Sequence, residues 1–165
     1  MKLATILAAF ITVTLASCGG ETEGTPVSKT GKSGSKEGLT FKVGEDVKLG
    51  DYVIKVNKME DYTPSDEMFS AKAGMKMVVL EVEYANATTD KQITANPFDW
   101  SASDNKGYSY DIGSSSDTKE PSLNDKTINP GGKVKGWLTF EIPKDSKLTK
   151  AQFTPGIIDN VEIEL

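Results

Sequence analysis

Two side-chain chemistries are absent from this chain and a third is nearly so. In 165 residues there is no histidine, and all 19 basic residues are lysine, which leaves no arginine. Cysteine occurs once, as Cys18. Without arginine there is no planar fork for bidentate capture of carboxylate or phosphate. Without histidine no side chain exchanges a proton near neutrality at its ordinary pKa. Ser-His-Asp and Cys-His catalysis and His-containing zinc sites are therefore excluded by inventory. A single thiol also excludes an internal disulfide. A large charge of one sign is lacking too, since 24 acidic residues against 19 lysines give −5. That is a mild field, of the wrong sign for a phosphate backbone, and it speaks against nucleic acid as a partner.

No apolar run is long enough to span a bilayer, which takes roughly 20 residues. The longest, Leu3 to Leu15, is broken by Thr5, Thr12 and Thr14 and follows a positive Lys2. Positive start, short apolar run and small-residue ending are the three parts of an export signal over 1–17. The ending, Leu15-Ala16-Ser17-Cys18, resembles the bacterial lipobox. That resemblance implies cleavage between Ser17 and Cys18, with Cys18 lipidated on sulfur at the new N-terminus. A free thiol on an exported chain would instead be an oxidation hazard. Two acyl chains suffice for stable anchoring at about 0.8 kcal/mol per buried methylene. Loss of Lys2 leaves 18 lysines against 24 acidic residues, a net −6, so the acyl chains rather than attraction to anionic lipid must hold the protein.

Residues 18–38 continue as "CGGETEGTPVSKTGKSGSKEG", with almost nothing apolar, and read as a disordered linker. Some twenty Gly-rich residues have an r.m.s. reach of about 25 Å. Position 19 is Gly, not the Asp of the inner-membrane retention signal in Gram-negative lipoproteins. The expected location is the bacterial cell envelope, on the outer face of the cytoplasmic membrane or in an outer membrane if the host has one.

From 39 to 165 the pattern is one of short apolar alternations and turn signals, with no sustained helical period, which predicts an all-β domain. Tyr52, Ile54 and Val56 share a face. Val78, Leu80, Val82 and Tyr84 oppose Glu81 and Glu83, as in a half-buried antiparallel strand. Phe98, Trp100 and Ala102 alternate in "NPFDWSAS". Asp104-Asn105-Lys106-Gly107 suits a hairpin turn with a left-handed glycine, and Asn129-Pro130-Gly131-Gly132 a type II turn. Val134, Leu138, Phe140 and Ile142 face inward with Gly136 among them, and Val161, Ile163 and Leu165 close the chain. The expected fold is an immunoglobulin-like antiparallel β-sandwich of about seven to eight strands, with Phe98, Trp100, Trp137 and Phe140 as its large core residues.

"MVVLEVEYAN", "FDWSASDNKGYSYD" and "INPGGKVKGWLTFEIP" together resemble the successive strands of a domain-of-unknown-function family common in bacterial lipoproteins. That family is grouped with the mycobacterial immunoprotective extracellular antigen in an immunoglobulin-like superfamily. The resemblance spans Phe41 to Leu165, with Asn86, the Asp-x-x-Gly-Tyr hairpin and the Pro-Gly turn as its more specific parts. It implies an extracellular sandwich and no activity, since fold does not supply one.

Two stretches exceed what a connection needs. Residues 60–74, "EDYTPSDEMFSAKAG", carry Tyr62, Met68 and Phe69 as a candidate partner-binding loop, or as a plug for the end of the sandwich. Residues 111–125, "DIGSSSDTKEPSLND", read as a polar loop, either contacting sugar hydroxyls or, more simply, mobile. Asp104, Asn105 and Asp111 lack the register of a calcium loop, and no metal or cofactor is expected. Adjacent acids such as Asp66 and Glu67, or the pair Asp51 and Asp61, are more simply solvated than catalytic, and the chain is expected not to be an enzyme. Asn86-Ala87-Thr88 matches a glycosylation sequon but also the end of a strand and the start of a turn. The sequence thus points to a lipid-anchored, non-catalytic interaction module with an envelope protein or cell-wall glycan as partner. The alternative is a low-affinity solute- or ion-binding accessory lipoprotein.

Overall fold

The computed structural model describes residues 41–113, 119–156 and 160–165. The expected signal segment 1–17, the lipidation site Cys18 with its cleavage partner Ser17, and the linker 18–38 lie outside the described residues.

Eleven strands are seen among the described residues: β1 (Phe41–Lys42), β2 (Val47–Leu49), β3 (Tyr52–Tyr62), β4 (Met75–Asn86), β5 (Ile93–Ala95), β6 (Trp100–Asp104), β7 (Ser109–Asp111), β8 (Lys126–Ile128), β9 (Lys133–Pro143), β10 (Leu148–Phe153) and β11 (Val161–Glu164). They form a four-stranded sheet, β2-β3-β4-β9, a five-stranded sheet, β1-β11-β10-β6-β7, and a β5-β8 ribbon. The all-β immunoglobulin-like sandwich is as expected. The strand number is higher because β1, β2, β5, β7 and β8 are two or three residues long, too short for alternation to register. All pairs but one are antiparallel; β1 runs parallel to β11, with Phe41 opposite Ile163.

The core forms where the inward residues of the two sheets meet. Val78, Leu80, Val82 and Tyr84 of β4 and Leu138, Phe140 and Ile142 of β9 face Trp100 and Ala102 of β6 and Ala151 and Phe153 of β10. Each fully buried large side chain contributes on the order of 1.5–3 kcal/mol. Tyr52, Tyr84, Trp100 and Phe153 join in an aromatic cluster: the Tyr84 and Phe153 rings meet edge-on at 5.4 Å, and Tyr52 meets Phe153 at 5.5 Å. Trp100 donates through Nε1 to the Tyr84 hydroxyl, so neither polar tip is left unpaired.

Two of the expected core residues sit elsewhere. Phe98 is 77% exposed. It lies in a 3-10 turn, Pro97–Asp99, capped by Asn96, so the strand begins only at Trp100 and the face-sharing with Trp100 and Ala102 does not hold. Trp137 is buried, but it belongs to the opposite face of β9 from Leu138 and Phe140 and is absent from the central cluster. There it lies beneath Lys58 and Lys119, whose ammonium groups sit 4.7 and 4.1 Å from its ring centroid.

Strand directions define two ends. Tyr52, at the start of β3, packs on Phe153, which pairs with Trp100 at the start of β6. The turns at 50–51, 87–92, 96–99 and 129–132 therefore gather at one end, with Phe98. The opposite end carries the β3–β4, β6–β7 and β9–β10 connections. There Asn105 N–H donates to Lys147 O at 2.9 Å and Lys144 N–H donates to Gly74 O at 3.0 Å, which ties the three together.

Candidate functional site

The end formed by these three connections contains the sequence-predicted loop. Tyr62 is not in the loop itself: it is the last residue of β3, half-buried and paired with Met77. Met68 and Phe69 fall in a 3-10 turn, Glu67–Phe69, started by Asp66, whose Oδ1 accepts from Met68 N at 2.9 Å. Phe69 is half-buried, whereas Met68 is 81% exposed. The turn therefore directs one of the pair toward the sandwich and the other into water. The loop is fastened to the four-stranded sheet by Lys72, whose amide donates to Glu141 at 2.6 Å and whose ammonium pairs with the same carboxylate at 3.4 Å.

At the same end stands Tyr108, 65% exposed, which the alternation of "YSYD" does not distinguish from an ordinary strand residue. The hairpin beneath it is held by Asp104. One carboxylate oxygen accepts from the amides of Lys106 and Tyr108, both at 2.9 Å, and the other accepts from the Tyr110 hydroxyl at 2.8 Å. Gly107, at φ +86°, takes the left-handed position expected of the turn. Burial pushes the Asp104 carboxyl upward. Hydrogen bonds from the Tyr110 hydroxyl and from the amides of Lys106 and Tyr108 outweigh it and hold it at about 2. Lys106 pairs with Asp145 at 2.6 Å, and this hydrogen bond holds the Asp145 carboxyl below its ordinary value.

These bonds also bear on the calcium and carboxylate readings. Asp104 spends its oxygens within the hairpin, and Asn105 Oδ1 accepts from Lys147 N at 3.1 Å. Asp111 is exposed on β7. Asp51 pairs with Lys91 at 2.6 Å, and Asp61 with Lys76 at 3.3 Å at the other end of the sandwich, so those two acids are not brought together. Among the described residues no group of three or more Cys, Asp or Glu could hold a metal ion.

The second long stretch is more ordered than its polar composition suggests. Gly113 N–H donates to Thr139 O, Trp137 N–H to Pro121 O and Leu123 N–H to Trp137 O, each at 2.9 Å, so both flanks of the stretch lie along the edge of β9. Leu123 is buried in the core, and Lys119 pairs with Glu60 above Trp137. The expected mobile loop is, over residues 119–125, a strap. Residues 114–118 lie outside the described residues.

Asn86 closes β4 as a fully used side chain. Its Nδ2 donates to Lys91 O at 2.8 Å and Ile128 O at 2.9 Å, and its Oδ1 accepts from Thr88 N at 2.9 Å and Thr88 Oγ1 at 2.7 Å. The sequon position is a structural joint between β4, β8 and the turn after β4. At this same end Asp99 is half-buried. Burial, with Asp125 nearby, raises its carboxyl above the ordinary value.

Solved structures of similar fold come from bacteria. The secreted protein MPT63 from Mycobacterium tuberculosis is similar with a TM-score of 0.62 and 18% identity, over 79% of this chain and 100% of that one. The yjhA protein from Bacillus subtilis is similar with a TM-score of 0.58 and 21% identity, over 76% and 98% respectively. A second Bacillus subtilis protein, ycdA, provisionally described as a lipoprotein, matches with a TM-score of 0.54 and 18% identity over 69% of this chain, which spans 36% of it. At these identities the likeness concerns the sandwich alone. No curated protein matches the chain. Among the described residues no helix is long and apolar enough to cross a membrane. The three stretches singled out in the sequence all fall within residues 41–163, which match a single family model, and the chain belongs to that family, the domain of unknown function DUF4352.

Proposed function

We propose that this chain is a lipid-anchored protein of the bacterial cell envelope, held through Cys18, whose sandwich is a non-catalytic module binding an envelope protein or cell-wall glycan. The observation that carries the interaction reading is Met68, exposed at 81% on a turn that hydrogen bonds fix in place. Tyr108, at 65%, stands at the same end. Fixed, exposed Met and Tyr side chains suit a binding tip because little ordering entropy remains to be lost on contact. The extracellular part of the reading draws support from the secreted mycobacterial relative in fold and the provisional lipoprotein of Bacillus subtilis. The non-catalytic part rests on the absence of histidine and arginine.

Cross-linking in the organism's own membranes tests the module. A partner, or peptidoglycan fragment, captured by the wild type and lost from the Met68→Ala, Tyr108→Ala double variant supports the reading; capture that is indifferent to both residues overturns it. The anchor is tested separately by labelling with radioactive fatty acid. Label must appear on the wild type and be lost from Cys18→Ala.

A further inference from the structure

At the opposite end the structure presents a second exposed apolar residue with a different occupant. We propose that Phe98 inserts into the headgroup boundary of the lipid bilayer to which the chain is anchored, and so sets the sandwich upright with Met68 and Tyr108 facing away. This rests on the anchored reading above.

Phe98 is not exposed by slack in the chain. Asn96 Oδ1 accepts from Phe98 N at 3.0 Å, Asp99 N–H donates to Asn96 O at 3.2 Å, and Thr154 N–H donates to Asp99 O at 2.8 Å. Pro97 fixes the first residue of the turn, and the Trp100 amide bonds back to Pro97 O. The turn thus holds a large apolar ring in water at 77% exposure, where no packing need of the domain is met.

The direction of the chain says what lies in front of that ring. β1 is parallel to β11, β11 antiparallel to β10, and β10 antiparallel to β6. β1 and β6 therefore run the same way, and the backbone enters Phe41 from the end at which Phe98 precedes β6. The row Phe41, Ile163, Ala151, Ala102 lies only two residues along from the row containing Trp100. That spacing is about 7 Å at 3.3 Å per residue.

Between Cys18 and Phe41 lie residues 19–40. A Gly- and Ser-rich chain of that length spans about 25 Å r.m.s., while the twelve residues of β4 alone extend about 40 Å. The end carrying Phe98 therefore meets the surface at a shorter tether extension than the end carrying Met68 does. Charge does not oppose the contact strongly. Asp51 and Lys91 neutralise each other at 2.6 Å, and Asp99 is half-buried and accepts from Asn96 at 3.2 Å. Tethering makes the insertion an intramolecular event, so one aromatic anchor suffices to bias orientation.

The only thiol of the chain allows a direct test. The mature chain, Cys18–Leu165, is coupled through Cys18 to phosphatidylcholine vesicles bearing a maleimide lipid and brominated acyl chains. The variants Phe98→Trp and Met68→Trp are compared by tryptophan quenching. The native Trp100 and Trp137 are buried and set a common background. Phe98→Trp should gain a blue-shifted emission component quenched at least about twofold more strongly than that of Met68→Trp, because quenching needs contact with the chains. Equal quenching of the two, or none for Phe98→Trp, overturns the proposal. Chemical coupling supplies the anchor whether or not the cell does. Failure here therefore falls on Phe98 alone, while the native anchor stands or falls with the fatty-acid label at Cys18.

Discussion

The indole Nε1 of Trp100 donates to the hydroxyl of Tyr84 at 2.7 Å, and that hydroxyl donates in turn to the backbone carbonyl of Asn96 at 2.9 Å. One phenol thus links the two sheets and the turn that carries Phe98. Burial raises the Tyr84 phenol far above its ordinary pKa, although the bond from Trp100 works against this, so it remains a neutral donor at any physiological pH. Tyr84→Phe keeps the ring contacts but leaves the Trp100 indole N–H without a partner and takes from the Asn96 carbonyl one of its two donors, the other being the Asp99 amide. A loss of about 1–3 kcal/mol is expected, read as a lower urea midpoint with unchanged slope.

Phe98 and Phe153 are the paired test of which aromatic residues build the fold. Phe153 is fully buried among Tyr52, Tyr84 and Trp100, and Phe153→Ala should cost about 3–5 kcal/mol. Phe98→Ala should change stability by no more than about 0.5 kcal/mol. Thermal melts of the two variants decide it, and similar losses would contradict the exposed position of Phe98.

Gly136 is required by close approach rather than by backbone angle. A Cβ there would stand 2.7 Å from the amide nitrogen and 2.8 Å from the Cα of Leu123, both backbone atoms that cannot rotate away. Gly136→Ala should therefore cost about 1–3 kcal/mol by overpacking. It should also lift the 119–123 strap, visible as a change in Trp137 emission.

Acid stability is set by carboxylates with opposite signs. The hydrogen bonds to Asp104 hold its carboxyl at about 2 in the fold, against an ordinary 3.8. Its ionised form supports the fold fully above the unfolded value, and this support is lost as pH falls through about 2. Asp145, also lowered, adds in the same direction. Asp99, raised by burial and by Asp125, does the reverse, since its penalty is absent below the unfolded value and complete above the folded one. Urea midpoints across pH should show Asp104→Asn flattening the acid limb, and Asp99→Asn raising stability at neutral pH while leaving the lowest pH unchanged.

Much of the fold is legible because its signals are local. Val78 to Tyr84 alternates against Glu81 and Glu83, and the turns at Gly107 and Gly131 are dictated by residues that accept φ of +86° and +70°. Phe98 was legible too, in principle. Asn96-Pro97 is a cap followed by a first-turn proline, and counting by twos through that signal places Phe98 wrongly. The face on which Trp137 is buried and the burial of Leu123 are not legible. Leu123 is buried by a strap that pairs with the edge of β9 after the chain has left the five-stranded sheet, and Trp137 is covered by Lys58 and Lys119 from other segments, neither of which alternation within a strand records. For the candidate site, Met68 is visible as an apolar residue among acids, whereas Tyr108 comes to the same end only through strand pairing and the bonds between Asn105 and Lys147 and between Lys144 and Gly74.

Asn86 carries a consequence for anyone producing the protein. Both hydrogens of its amide are engaged by the carbonyls of Lys91 and Ile128, and the residue is 4% exposed. In a eukaryotic secretory host the Asn-Ala-Thr triplet is an acceptor for oligosaccharide before the chain has folded. The attached sugar would displace one of those hydrogens and fill the joint between β4 and β8. Removing the sequon through Thr88 would sacrifice the hydroxyl bond to Asn86 Oδ1 at 2.7 Å, one of those that hold Asn86 in place. Bacterial production, which leaves the amide bare, is the route compatible with this architecture.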